Sequence, residues 1–134
     1  MTDRTILLVD ESTRMRDLLA SILRMQGYIV FEYNSGRELL KRLRADRPEL
    51  LLMEAILPFL SGFEIRAMIR RDPELRDLPV LMMCSMSYRL PAAGSDGQTR
   101  SRLDEFIVRP FGLQELLDRI DLMLGASPAL KALS

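Results

Sequence analysis

Leu50-Leu51-Leu52-Met53-Glu54-Ala55-Ile56-Leu57-Pro58-Phe59-Leu60-Ser61-Gly62 is the stretch that decides the fold. Four unbroken apolar residues with no polar alternation predict a strand covered on both faces, as in the middle of a parallel sheet. That strand ends in an acid and runs into a loop closed by Pro58 and Gly62. Near the N-terminus, Thr5-Ile6-Leu7-Leu8-Val9 ends in the same way on Asp10-Glu11. Carboxylates at the C-terminal ends of neighbouring parallel strands gather at one edge, where open α/β sheets build their sites.

Strand and helix patterns alternate on both sides of this stretch. Ser12 is a fitting N-cap for a helix with Met15, Leu18, Leu19, Ile22 and Met25 at three- and four-residue spacing, closed by Gly27. Residues 28–32 predict a second strand and Asn34-Ser35-Gly36 a turn. Residues 38–47 predict a helix with Leu39, Leu40 and Leu43 on one stripe, stopped by Pro48. After the central strand come a helix over 62–71, a strand over 80–83 and a strand over 105–108. A last amphipathic helix carries Leu113, Leu116, Leu117, Ile120 and Leu124. Right-handed crossovers then give a doubly wound, five-stranded parallel sheet of order 2-1-3-4-5, with its switch point between strands one and three. A helix is missing from the pattern: Pro91, Gly94 and Gly97 each disfavour a helix interior. Residues 88–98 are therefore expected to be irregular, with at most a short helical piece near 97–103.

Composition excludes several chemistries. The chain of 134 residues has the length of one domain, with 48% hydrophobic and 28% charged residues. Nineteen basic residues, all arginine except Lys41 and Lys131, balance nineteen acidic ones, so no overall field favours nucleic acid or an anionic membrane. There is no histidine, which removes imidazole catalysis and histidine metal ligands; Cys84 stands alone, which removes an intrachain disulfide and a cysteine metal cluster. No apolar run reaches the roughly 18 residues of a membrane span, and a cytoplasmic location is expected. Residues 1–125 are read as the domain and 126–134 as a tail or the start of a linker.

With Asp10-Glu11, the Glu54 to Pro58 to Gly62 spacing and the Arg109-Pro110-Phe111 turn in place, the chain resembles the receiver domain of bacterial response regulators over residues 5–124. The resemblance implies a flavodoxin-like (βα)5 fold, here with a fourth helix degraded by Pro91, Gly94 and Gly97. It also implies a module of phosphorelay signalling rather than an enzyme. In that family an acidic pair after strand one and an aspartate after strand three hold a divalent cation, and the aspartate takes the phosphoryl group. A hydroxyl residue after strand four and a lysine before proline contact that group, and the lysine-proline bond is often cis.

This chain departs at the reactive positions. The phosphoacceptor position is Glu54, the hydroxyl position falls on Cys84 (with Ser85 one residue later), the lysine position is Arg109, and the aromatic switch position is Phe106. Glu54 is one methylene too long for in-line chemistry, and a thiol is a weak donor. A longer acid facing the forked guanidinium suggests an internal pair, Glu54 with Arg109, imitating the contact of a phosphoryl group with lysine. Asp10, Glu11 and Glu54 retain the composition of a Mg2+ site, yet a nearby Arg109 makes metal optional, so no cofactor is required.

The leading expectation is a receiver-like module that acts by protein–protein contact without a normal aspartyl-phosphate cycle. The alternative is a phosphoaccepting receiver with unusual site residues. The expected partner is a histidine kinase or a downstream output protein or domain, with a homodimer left open and no contact to nucleic acid or membrane. A flavin or nucleotide site would need a glycine-rich loop where Asp10-Glu11-Ser12-Thr13 stands, and a haloacid-dehalogenase-like phosphatase would need a different acid spacing there. Phe59-Leu60, apolar in the loop beside the site, is either a partner contact or a cover for the helix end.

Overall fold

The structure, a computed structural model, describes residues 4–85 and 103–125. The expectations for 88–98, for the fourth crossover helix and for the tail 126–134 lie outside the described residues. Within them, five strands are interleaved with four helices: β1 (Thr5–Val9), α1 (Thr13–Met25), β2 (Ile29–Tyr33), α2 (Gly36–Asp46), β3 (Leu50–Glu54), α3 (Gly62–Arg71), β4 (Val80–Cys84), β5 (Asp104–Val108) and α4 (Leu113–Met123). All neighbouring strands are parallel, in the order β2-β1-β3-β4-β5. This is the doubly wound topology that the sequence predicts.

The continuous apolar strands behave as their pattern requires. Side chains alternate across β3, so Leu51 and Met53 join one core layer and Leu50 and Leu52 the other. The first layer includes Leu39, Leu43, Ile65 and Ile69 of α2 and α3; the second includes Leu19, Leu23, Leu116 and Ile120 of α1 and α4. Each fully buried aliphatic side chain contributes about 1.5–3 kcal/mol, and Ile6 to Val9 and Leu50 to Met53 are all fully buried.

Serines start three helices. The Oγ atoms of Ser12, Ser35 and Ser61 accept from the backbone N–H groups of Met15, Glu38 and Glu64, each at 3.2 Å. Glu64 returns the contact, accepting from the Ser61 N–H at 3.0 Å and completing a capping box. Two boundaries differ from the sequence reading. β2 begins at Ile29 rather than Tyr28, because the Tyr28 N–H closes α1 by donating to the Leu23 carbonyl at 3.2 Å. The α2 helix begins at Gly36, inside the expected turn, because Ser35 is already its cap.

Candidate functional site

Register brings the acids together. Val9 pairs with Met53, and Glu54 with Met83. Asp10, one residue past Val9, therefore emerges beside Glu54 at the C-terminal edge of the sheet. On the other side the Arg109 N–H donates to the Cys84 carbonyl at 2.7 Å, carrying the β4–β5 ladder one residue further. That bond fixes the root of the Arg109 side chain at the same edge. The Arg109–Pro110 peptide is cis.

The guanidinium bridges the two carboxylates. Arg109 Nη2 lies 2.5 Å from Glu54 Oε2 and 3.4 Å from Asp10 Oδ2, and it also approaches the Met83 sulfur at 3.7 Å. The side chains are 13% exposed for Glu54, 4% for Asp10 and 25% for Arg109. The group is thus partly desolvated, and its charges interact more strongly than surface pairs do. Burial opposes the Arg109 charge, but the Glu54 hydrogen bond and the negative charges of Glu54 and Asp10, with a smaller contribution from Cys84, outweigh it and raise its pKa above the ordinary value.

Asp10 is held from several directions. Its Oδ1 accepts from the Ser12 N–H at 2.9 Å, its backbone carbonyl from Arg16 Nη1 at 2.7 Å, and its own N–H donates to the Tyr33 carbonyl at 3.2 Å. Glu11 is exposed. Among the described residues no group of three or more His, Cys, Asp or Glu is placed to hold a metal ion. The inward oxygens of Asp10 and Glu54 converge on the positive charge of Arg109.

Cys84 ends β4, fully buried. Burial, and secondarily the charge of Glu54, push its thiol up from an ordinary 9.0 to about 11, against the opposing pull of Arg109. A thiol that resists ionisation is a poor nucleophile at neutral pH. Iodoacetamide at pH 8 is expected to leave Cys84 of the folded protein unmodified and to alkylate it in urea; comparable rates in both states would show that the thiol is open. The raised pKa also favours the fold below about pH 9, an advantage lost as the pH rises towards 11.

Phe106 stands apart from the charged group. It is 6% exposed in the α2–α3 core layer, with its ring centroid 6.0 Å from that of Phe63. The Arg66 guanidinium lies 5.7 Å from the Phe63 centroid and 5.9 Å from that of Phe106, within cation–π range of both. The sequence reading did not anticipate Arg66, Arg16 or the Met83 contact. The three-residue spacing of Phe63 and Arg66 on α3 was the available signal for the first.

Gly62 sets the distance between α3 and this edge. A Cβ there would lie 2.7 Å from the Glu54 carbonyl oxygen and 3.1 Å from Ala55 Cα, and the Gly62 N–H donates to the Ala55 carbonyl at 2.8 Å. The spacing from Glu54 to Gly62 is thus a backbone-to-backbone contact that only glycine allows.

Comparison with known proteins agrees with this fold. A sequence profile of the response regulator receiver domain matches residues 6–121. The response regulator MprA of Mycobacterium leprae is 35% identical over 122 residues, covering 89% of this chain and 50% of its own length. A putative response regulator from Chloroflexus aurantiacus superposes with a TM-score of 0.79 at 28% identity, covering 92% of this chain and 99% of that one. The receiver domain of the sensor histidine kinase PA1611 from Pseudomonas aeruginosa, solved with a magnesium ion coordinated in its active-site cleft, superposes with a TM-score of 0.77 at 22% identity over 92% of this chain and 99% of that one. The chain belongs to the response regulator receiver domain family of two-component signalling. It spans about half the length of the curated relatives it matches.

Proposed function

We propose that this receiver signals through its surface without a normal aspartyl-phosphate cycle, with the Glu54–Arg109 bridge standing in for a phosphoryl contact. The observation that carries the reading is Glu54 Oε2 seated 2.5 Å from Arg109 Nη2. Phosphoryl transfer to a carboxylate needs a free oxygen in line with the phosphorus. Here the longer side chain reaches about 1.5 Å further than aspartate would, by one C–C bond, and one of its two carboxylate oxygens is engaged by a guanidinium. The buried thiol of Cys84 supplies at best a weak donor to developing charge.

Arg109 also supplies the positive charge between two carboxylates that a cation would otherwise supply, so the reading has no requirement for Mg2+. The magnesium in the PA1611 receiver belongs to that protein. The balanced charge of the chain supports a protein partner, a histidine kinase or an output protein or domain, over nucleic acid. Among the described residues no helix is long and apolar enough to cross a membrane.

The alternative, a phosphoaccepting receiver, requires Arg109 to leave Glu54 before transfer. Incubation with Mg2+ and acetyl phosphate distinguishes the two. The expected mass spectrum is unchanged, with no species heavier by the roughly 80 Da of one phosphoryl group transferred as in aspartyl-phosphate formation. A stoichiometric, hydroxylamine-sensitive adduct on Glu54 would establish the alternative.

A further inference from the structure

Phe59 is placed where a chain gains nothing from it internally. Its side chain is 100% exposed, and its backbone sits at φ 68°, in the left-handed region that glycine and asparagine enter readily and a bulky aromatic enters at a cost. Neither packing nor local conformation accounts for phenylalanine at this position. Beside it runs a groove of about 660 Å³ between the 58–60 loop and the N-terminal half of α2. Pro58, Phe59, Leu60 and Leu40 give it apolar walls, and Arg37 and Lys41 stand on its rim.

Those two cations form no ion pair among the described residues, whereas Arg42 and Arg44 of the same helix pair with Asp46, Asp72 and Glu74. The positive end of the α2 dipole points the same way, since Ser35 caps the helix at the groove. Apolar walls, a strained exposed aromatic and an unneutralised positive rim select one kind of occupant.

We propose that this groove docks an acidic, amphipathic segment of a partner protein, with Phe59 as the apolar anchor and Arg37 and Lys41 reading the acids. The proposal rests on the reading of the chain as a surface-signalling receiver and names the chemistry of its partner. Anchors of this kind concentrate binding energy in a few aromatic and basic residues, and peptide helices present apolar residues at three- and four-residue spacing to such grooves.

The test is an amide chemical-shift titration of the full chain with a synthetic helical peptide bearing Glu on one face and Leu and Trp on the other. Saturable shifts are expected at residues 35–41 and 58–60. A peptide with Lys in place of Glu, or Ala in place of Leu and Trp, should give none. Phe59→Asn should weaken binding by at least about tenfold, as loss of an anchor does, while the melting temperature holds or rises because asparagine tolerates the backbone. R37E together with K41E should abolish binding. Shifts confined to other surfaces, equal binding of the Lys peptide, or undiminished binding to Phe59→Asn would overturn the proposal. So would concentration-dependent shifts at 35–41 and 58–60 without peptide, which would assign the groove to a second copy of the chain. A phosphodonor adduct alongside the stated binding would remove the phosphate-independent reading and leave the groove; absence of both would do the reverse.

Discussion

Replacement of Arg109 by methionine is expected to lower the unfolding free energy by roughly 2–4 kcal/mol, somewhat under the 3–5 kcal/mol typical of a broken buried pair because the side chain is 25% exposed. Methionine keeps most of the aliphatic packing and removes the charge. What remains is two carboxylates at one sheet edge, Asp10 at 4% and Glu54 at 13% exposure, without the guanidinium that bridged them. Their repulsion and their unrepaid desolvation both weigh against the folded state. Urea denaturation should show the loss as a lower midpoint with an unchanged slope. Added salt should restore little, since screening acts mainly on exposed charges. A midpoint within about 0.5 kcal/mol of the wild type, the range of an ordinary surface substitution, would show that Arg109 is a solvated side chain.

Gly62→Ala is expected to be of similar size, about 2–3 kcal/mol, at the upper end of ordinary overpacking costs. The atoms its Cβ would meet at 2.7 and 3.1 Å are backbone, so no side-chain rotation relieves the contact. Either α3 or the end of β3 must shift. Because one of those atoms is the Glu54 carbonyl oxygen, the shift falls on the backbone of Glu54, the residue paired with Arg109. A stability loss with undisturbed Glu54 and Ala55 amide resonances would mean that α3 alone moves. The opposite case is Gly36: its nearest neighbour would be Ile65 Cδ1 at 2.3 Å, the end of a flexible side chain that can turn away.

The parts of the fold that were legible are those where one residue type admits one environment. Leu50 to Met53 read as a strand buried on both faces, and Ser12 announced where α1 begins. Register then follows from topology, which is why Asp10, Glu54 and Arg109 could be assigned to one edge before their distances were known. The resemblance to receivers supplied the pairing of Glu54 with Arg109; spacing alone did not. Less legible were contacts made by long arginine side chains. Of seventeen candidates (nineteen basic residues less Lys41 and Lys131), nothing local marks Arg66 as the one above Phe63 and Phe106 or Arg16 as the donor to the Asp10 carbonyl. Such partners depend on which helix faces which strand end. The β2 boundary slipped by one residue for a related reason: the Tyr28 N–H was claimed by the end of α1, a hydrogen bond that residue composition does not reveal.

The central claim is that Glu54 and Arg109 act as one unit, and a double-mutant cycle with Glu54→Gln and Arg109→Met measures that directly by urea midpoint. Gln keeps the length and polarity of Glu54 while removing its charge, so in the Arg109→Met background it should relieve the repulsion with Asp10 and recover part of the loss. The account predicts a coupling energy of roughly 1–2 kcal/mol, within the range for residues in direct contact; losses that add to within about 0.5 kcal/mol, as for independent sites, would contradict it.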